Sequence, residues 1–365
     1  MWNFFLFTLC SYLFSCSPHE RDSAQIDLSS IPLSVPEQIF QADHVDSVYF
    51  QYLAPRSLSD SEGNIVLNDW DSPFVLKLNR NGDLIEVIGR KGSGPGEIQR
   101  AGSTAFDKER NLFIFDVVRS RIIKLSNEFD LVQEFEPPIL DKMQRVTEVY
   151  ATSADSLLLL KITSGLFLRA QNEKPKTIFA LWNLETGSFE QKAEYPAKAY
   201  ARLFVDGNMR GATQVPFSGD LLYDTSPDKQ SLFVYWSEDN HITELDVITF
   251  DTLRTIDIQL PKESVSSSEI DSLKELYRPE QWRTLRKILP AEKALAEDMI
   301  IDQKGRFWMK LNNIGNHQEW LVLNRDGTPE KIVQLPKEGS ISHVSEYHIG
   351  FRNNETNFTL FEAVK

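Results

Sequence analysis

One short pattern returns along the chain and constrains its fold more than any other feature: a strand that runs into an Asn-Gly or Asp-Gly turn and is followed by a second strand. Leu76-Lys77-Leu78-Asn79-Arg80-Asn81-Gly82-Asp83 recurs as Leu321-Val322-Leu323-Asn324-Arg325-Asp326-Gly327-Thr328. Those dipeptides tolerate the positive φ of a tight hairpin, and apolar segments follow at 84–88 and 331–335. The same grammar is weaker at residues 122–135, at 179–195 around Thr186-Gly187, and at 242–258 around Phe250-Asp251. A compact apolar strand precedes each hairpin, at 64–68, 112–116, 156–162, 232–236 and 306–311. Five four-stranded units result, spaced by about 45 residues where no insertion intervenes, which is the blade length of a β-propeller.

The C-terminal end supplies three more strands, at 341–346, 347–352 and 358–364, and lacks a fourth. Closure of the ring by an N-terminal strand fills that gap and removes an exposed sheet edge. Residues 26–33, upstream of a first blade-one strand at 47–54, are assigned to it. The expected fold is all-β: a six-bladed propeller closed by an N-terminal strand. One interruption reads as helix, because Ile270, Leu273, Leu276 and Tyr277, then Trp282, Leu285, Ile288 and Leu289, fall at helical spacing. Ser268 with Asp271 forms a capping pair and Pro279 suits the first turn of a second helix, giving an insertion at about 262–292 between blades four and five.

Residues 2–15 are almost uninterruptedly apolar and carry no charge. That run is too short to span a membrane and suits the apolar region of a signal peptide. Its end, Leu13-Phe14-Ser15-Cys16 followed by Ser17 and Pro18, resembles the lipobox of bacterial lipoproteins. The resemblance implies a signal peptide at 1–15, a lipidated Cys16, a linker at 16–25 and a propeller over 26–365. Such a protein sits at the cell envelope, at the outer membrane, held by its lipid anchor alone. Cys10 and Cys16 are the only cysteines, so a chain starting at Cys16 has no disulfide partner. The 39 basic against 53 acidic residues give a net charge of −14, which repels phosphate backbones and excludes nucleic acid as a partner.

The segments Gly89-Arg90-Lys91-Gly92-Ser93-Gly94-Pro95-Gly96-Glu97, Ala105-Phe106-Asp107, Asn111-Leu112-Phe113-Ile114-Phe115-Asp116 and Arg121-Ile122-Ile123-Lys124 resemble the NHL-type repeat. More particularly, they resemble the six-bladed propeller lipoproteins of Bacteroidetes. The match covers roughly residues 60–135 and is one of pattern elsewhere. It implies an extracytoplasmic binding scaffold and carries no catalytic residue onto this chain.

The candidate chemistry is sparse. Gly92, Gly94 and Gly96 lack the following helix that a dinucleotide-binding loop requires, so they read as an inter-blade turn. Asp69 and Asp116 end the second strand of their blades, where a carboxylate accepts backbone N–H groups of the next turn. Among the six histidines none shows close metal-ligand spacing, and His343 and His348, five apart, would face opposite sides of the sheet if they shared one continuous strand. No metal site, cofactor or catalytic residue is assigned, and no Gly-x-Ser-x-Gly elbow supports a serine hydrolase.

Alternating strand direction puts the loops between strands two and three on the same face as the connections between blades. That face collects Trp70, Asp71, Arg119, Arg169, Glu238, His241 and His317, with Trp282 on the insertion. Aromatic and Arg residues on long, uneven loops are typical binding anchors. The expected function is a non-enzymatic binding module for a protein or a carbohydrate. The alternative is a propeller lyase or lactonase-like hydrolase with a divalent metal in the central channel. Trp70 and Trp282 have a second reading, as a small satellite core against the insertion.

Overall fold

The computed structural model describes residues 25–364 apart from residues 71, 142–143, 166–174, 206–207 and 313–314. Six antiparallel sheets are arranged as the blades of a propeller. Blade one runs through Leu58–Ser59, Ile65–Asn68, Val75–Leu78 and Leu84–Ile88, and blade two through Ala101–Phe106, Leu112–Asp116, Arg121–Leu125 and Leu131–Phe135. Blades three, four and five follow over residues 144–196, 221–257 and 296–336, and blade six begins with Ser340–Val344, His348–Asn354 and Asn357–Glu362.

An N-terminal strand closes the ring, as the missing fourth strand of blade six requires, but it is a different segment from the one expected. Gln38–Ala42 pairs antiparallel with 358–361, in the register Gln38 to Phe361 and Ala42 to Phe358. Residues 26–33 lie elsewhere. The Ile26 N–H donates to the Gln259 carbonyl at 2.8 Å, Ile26, Leu28 and Ile31 pack on the core between blades four and five, and Leu33–Ser34 adds a parallel fifth strand to blade five. The first strand of blade one is likewise Leu58–Ser59, while the expected 47–54 contributes Val48–Tyr49 to a two-stranded hairpin with His44–Val45. Gln38–Ala42 takes the closing role whole, so the order within each blade, and the face of every loop, is unchanged.

The core is divided into six layers, each between neighbouring blades. Middle strands covered on both sides have no polar face, which is why Leu112–Asp116 is buried at every position. Between blades five and six, Trp308, Trp320 and Phe351 are fully buried, each stabilising the layer by roughly 1.5–3 kcal/mol. The seam between blades six and one joins Phe358 and Leu360 to Ile65, Leu67, Leu76 and Leu78. Ring closure therefore completes a core layer as well as a sheet.

The turns from strand one to strand two share one device. In all six blades the turn opens on a residue whose side-chain oxygen accepts a backbone N–H two to five positions on: Asp60, Asp107, Thr152, Ser226, Asp302 and Ser345. Asp60 accepts from Glu62 and Asn64, both at 2.9 Å, and Asp302 accepts from Lys304 and Arg306 at the same distance. The fourth position of the longer turns is left-handed. Glycine takes it at Gly63 and Gly305, where no Cβ resists positive φ, but Arg110 and Lys229 hold the same conformation.

Candidate functional site

Strands alternate in direction, so the six turns just described share one face, the turn face, with the hairpins that join strands three and four. The opposite face, the loop face, holds the connections between blades. These include a hairpin of Tyr200–Val205 with Asn208–Gln214, between blades three and four, and two helices between blades four and five: α1 (Ser267–Leu276) and α2 (Pro279–Leu285).

The expected site residues divide into two kinds. Trp70 is held in place. Its ring stacks on Tyr52 with centroids 5.5 Å apart, its Nε1–H donates to the Gly102 carbonyl at 2.6 Å, and its own carbonyl accepts from Arg100 Nε at 2.7 Å. Glu238 accepts from the Gly219 backbone at 2.8 Å and from Trp236 Nε1 at 3.1 Å, which pins the connection into blade four. Arg119, His241 and His317 are instead exposed, from blades two, four and five. Asp71, Arg169 and Cys16 lie outside the described residues. The residues share a face without touching one another: among the described residues, no hydrogen bond, ion pair or ring contact joins two of them.

Asp69 and Asp116 are structural, with a wider reach than expected. Asp69 accepts from Gln51 and Tyr52 in the connection entering blade one. Asp116 accepts from Gln99 and Arg100 in the connection entering blade two, and from Val118 and Arg119 in its own turn. Each carboxylate thus clamps an incoming connection to the second strand, a constraint invisible without the fold.

A polar wall lines the centre of the ring. The Arg56 guanidinium donates to both carboxylate oxygens of Asp298, at 2.5 and 3.1 Å, and to the Ile341 carbonyl at 3.0 Å, so it ties the entry to blade one to the inner strands of blades five and six. Its side chain keeps 42 % exposure. Glu148 accepts from Lys161 Nζ at 2.7 Å and from the Tyr150 and Tyr223 hydroxyls. Burial alone would raise its carboxyl, but Lys161 and then the two tyrosines hold it below the usual range. Burial, then Glu148, pushes both phenols well above theirs. Asp224 accepts from the Ile301 and Thr225 backbones, and burial raises its carboxyl. Every carboxylate named here is engaged by a donor of its own chain, and among the described residues no three His, Cys, Asp or Glu side chains group as metal ligands.

His343 and His348 correct the sequence reading. They stand on two strands joined by a bend and meet side by side, with His343 Nε2 3.1 Å from His348 Nδ1. His348 Nε2–H donates to the Gly63 carbonyl at 2.9 Å, which leaves Nδ1 to accept from His343, and His343 Nδ1 then accepts from the Ser57 hydroxyl at 2.6 Å. The chain of bonds crosses from blade six to blade one. Burial, then the neighbouring His348, pushes His343 well below the ordinary imidazole value, and burial lowers His348 too.

The insertion is a small body with its own neck. Ser264 bridges Glu292, and Lys293 Nζ reaches Glu263 and Glu269 at 2.9 Å each, joining both ends. The cap of α1 is Ser266 with Glu269, two residues ahead of the pair expected. Pro279 opens α2 as expected. Leu285 packs with Ala201 of the neighbouring hairpin and with Val215 just after it, with Tyr277, Trp282 and Leu289 around them. Trp282 thus belongs to a satellite core on the insertion, which Trp70 does not join. Above this core lies an open cleft of about 440 Å³, lined by Lys274, Tyr277, Pro279, Trp282, Arg283, Arg286 and Lys287.

No family model and no curated protein matches the sequence. Solved structures share the fold. A member of the DUF4221 family from Bacteroides vulgatus superposes with a TM-score of 0.53 at 12 % identity, over 90 % of this chain and 97 % of that one. A Bacteroides fragilis protein assigned as exported gives 0.50 at 11 % identity, over 92 % and 100 %. Among the described residues no helix is long and apolar enough to cross a membrane. The chain is a six-bladed β-propeller, of the same fold as these two Bacteroides proteins.

Proposed function

We propose that this protein is an extracytoplasmic, lipid-anchored binding module of the kind found in the propeller lipoproteins of Bacteroidetes, and that its loop face takes a protein or a carbohydrate. Residues 1–15 serve as the signal peptide, acylation of Cys16 supplies the only membrane attachment, at the outer membrane, and 16–25 form the leash. The observation that carries the reading is the asymmetry of the two faces: long connections, the hairpin at 200–214 and the helical insertion all stand on one side of a rigid ring. Arg119, His241 and His317 supply exposed polar contacts there. Each channel carboxylate described is satisfied by its own chain, which favours binding over metal-assisted lyase or hydrolase chemistry.

The test uses the absence of cysteine from 17–365. A single cysteine replacing Arg119 on the loop face, or Lys304 on the turn face, is coupled to polyethylene glycol, and both proteins are applied to a glycan array and to envelope extracts. The reading requires that the polymer at 119 abolish retention and that the polymer at 304 leave it intact. The opposite result would move the site to the turn face. Separately, Cys16→Ala should release a folded propeller from the membrane fraction; full retention would end the lipoprotein reading.

A further inference from the structure

We infer that the cleft on the insertion docks an acidic, apolar-bearing segment of a partner protein; the inference rests on the loop face being the binding face. Lys274, Arg283, Arg286 and Lys287 converge on this cleft, and among the described residues none of them forms an ion pair. The chain carries a net charge of −14, so carboxylates able to pair with a surface cation are in excess. Lys293 at the neck of the same insertion takes two of them. Four cations left unpaired around one cleft are therefore complementary to negative charge brought from outside.

The remaining lining sets the character of that ligand. Tyr277, Pro279 and Trp282 form an apolar floor to the cleft. A polyanionic glycan would satisfy the cations and, being hydroxylated throughout, would cover little of this floor with apolar surface. A peptide with bulky apolar residues between its carboxylates covers both, burying apolar area while each Arg takes a carboxylate through two parallel N–H bonds. Trp, Tyr and Arg are also the residue types that dominate protein interfaces. Leu285 anchors α2 to Ala201 and Val215, so the floor is fixed before a partner arrives.

The probe is a short fluorescein-labelled peptide of alternating Glu and Leu, titrated into the mature chain and followed by anisotropy. Two further peptides replace all Glu by Gln or all Leu by Ser, and an oligogalacturonate serves as competitor. Salt-sensitive binding is expected for the Glu-Leu peptide alone. Arg283→Ala with Arg286→Ala should weaken it by at least about tenfold, and Lys304→Ala on the turn face should not change it. Equal binding to the double variant, or no binding at all, would overturn the inference. Equal binding of the Ser peptide would reduce the site to bare charge attraction, and preferential binding of oligogalacturonate would make it a glycan site; either result also rejects it. If these results go against the cleft while polymer at position 119 still blocks retention, only this inference falls. If that block fails as well, the reading of the loop face falls with it.

Discussion

The turn face and the loop face solve the same problem, joining neighbouring strands, in opposite ways. On the turn face a single side-chain oxygen at the head of each strand-one turn organises the backbone behind it, six times over. On the loop face the connections range from a short bend at 337–339 to the insertion at 258–295, and their fastenings differ: Asp69 and Asp116 clamp two of them, Glu238 pins a third and Lys293 closes the neck of the insertion. Repetition marks the side that holds the ring together, and irregularity marks the side free to be specialised.

That contrast is open to test, beginning with the ring on which both faces depend. Truncation through Asp43 removes the closing strand and opens the layer between blades six and one, so cooperative melting should be lost and blade six should become sensitive to protease. Truncation only through Pro36 removes the parallel strand and the packing of Ile26, Leu28 and Ile31; its melt should stay cooperative with a lower midpoint. Identical melts would mean that Gln38–Ala42 is not the closing element.

Asp302 offers the next largest effect, confined to the turn face. It accepts from the Lys304 and Arg306 backbones, from Arg306 Nε at 2.7 Å and from the buried Trp308 Nε1 at 3.0 Å. Asp302→Ala strands these donors and should cost about 3 kcal/mol in urea unfolding, with binding at the loop face intact. A comparable loss of affinity would mean that the faces are coupled.

A smaller loss should follow acidification. His343 and His348 are held neutral in the folded chain, below the value of about 6.5 that free imidazole has. The unfolded chain then takes up protons first. Stability is full above that value and falls as pH drops from it toward the depressed folded values. Denaturant midpoints measured across this window should decline in the native protein and decline less in His343→Gln. Parallel curves would show that the pair does not govern acid sensitivity.

The smallest effect on stability belongs to the loop face. Arg119→Ala, His241→Ala and His317→Ala remove exposed side chains and should each shift unfolding by less than about 0.5 kcal/mol. Retention on whichever array or extract component binds the native protein should nevertheless fall. A large stability loss would place these residues in the scaffold.

Much of the scaffold was legible because its rules are local. Asn81-Gly82 and Asp326-Gly327 announce hairpins wherever they stand, since only a few residue types accept the left-handed backbone there. The closing strand was not legible in that way. Residues 26–33 and 38–42 are both short and partly apolar, and the choice between them rests on which fits Phe358 and Leu360 at the seam and which fits Gln259, all far off in sequence. His343 and His348 failed for a similar reason: the turn at 345–347 sends the chain back as a neighbouring strand, and the two rings meet across the pair. At the site, residue type distinguished poorly between anchor and ligand. Trp70 carried two readings, ligand contact and satellite core, and its indole is held by Tyr52 and Gly102, whereas the charged wall at the centre of the ring is spread over residues as distant as Arg56 and Asp298.

The closing strand also sets an order of events. Gln38–Ala42 is made long before its partners at 358–361, with every other strand of the ring between them. Until they arrive the ring has an open edge and an incomplete core layer, so a growing chain cannot complete its fold and a contact of such sequence separation forms slowly. Placing the two halves of the clasp this far apart in sequence postpones closure until all six blades have been made.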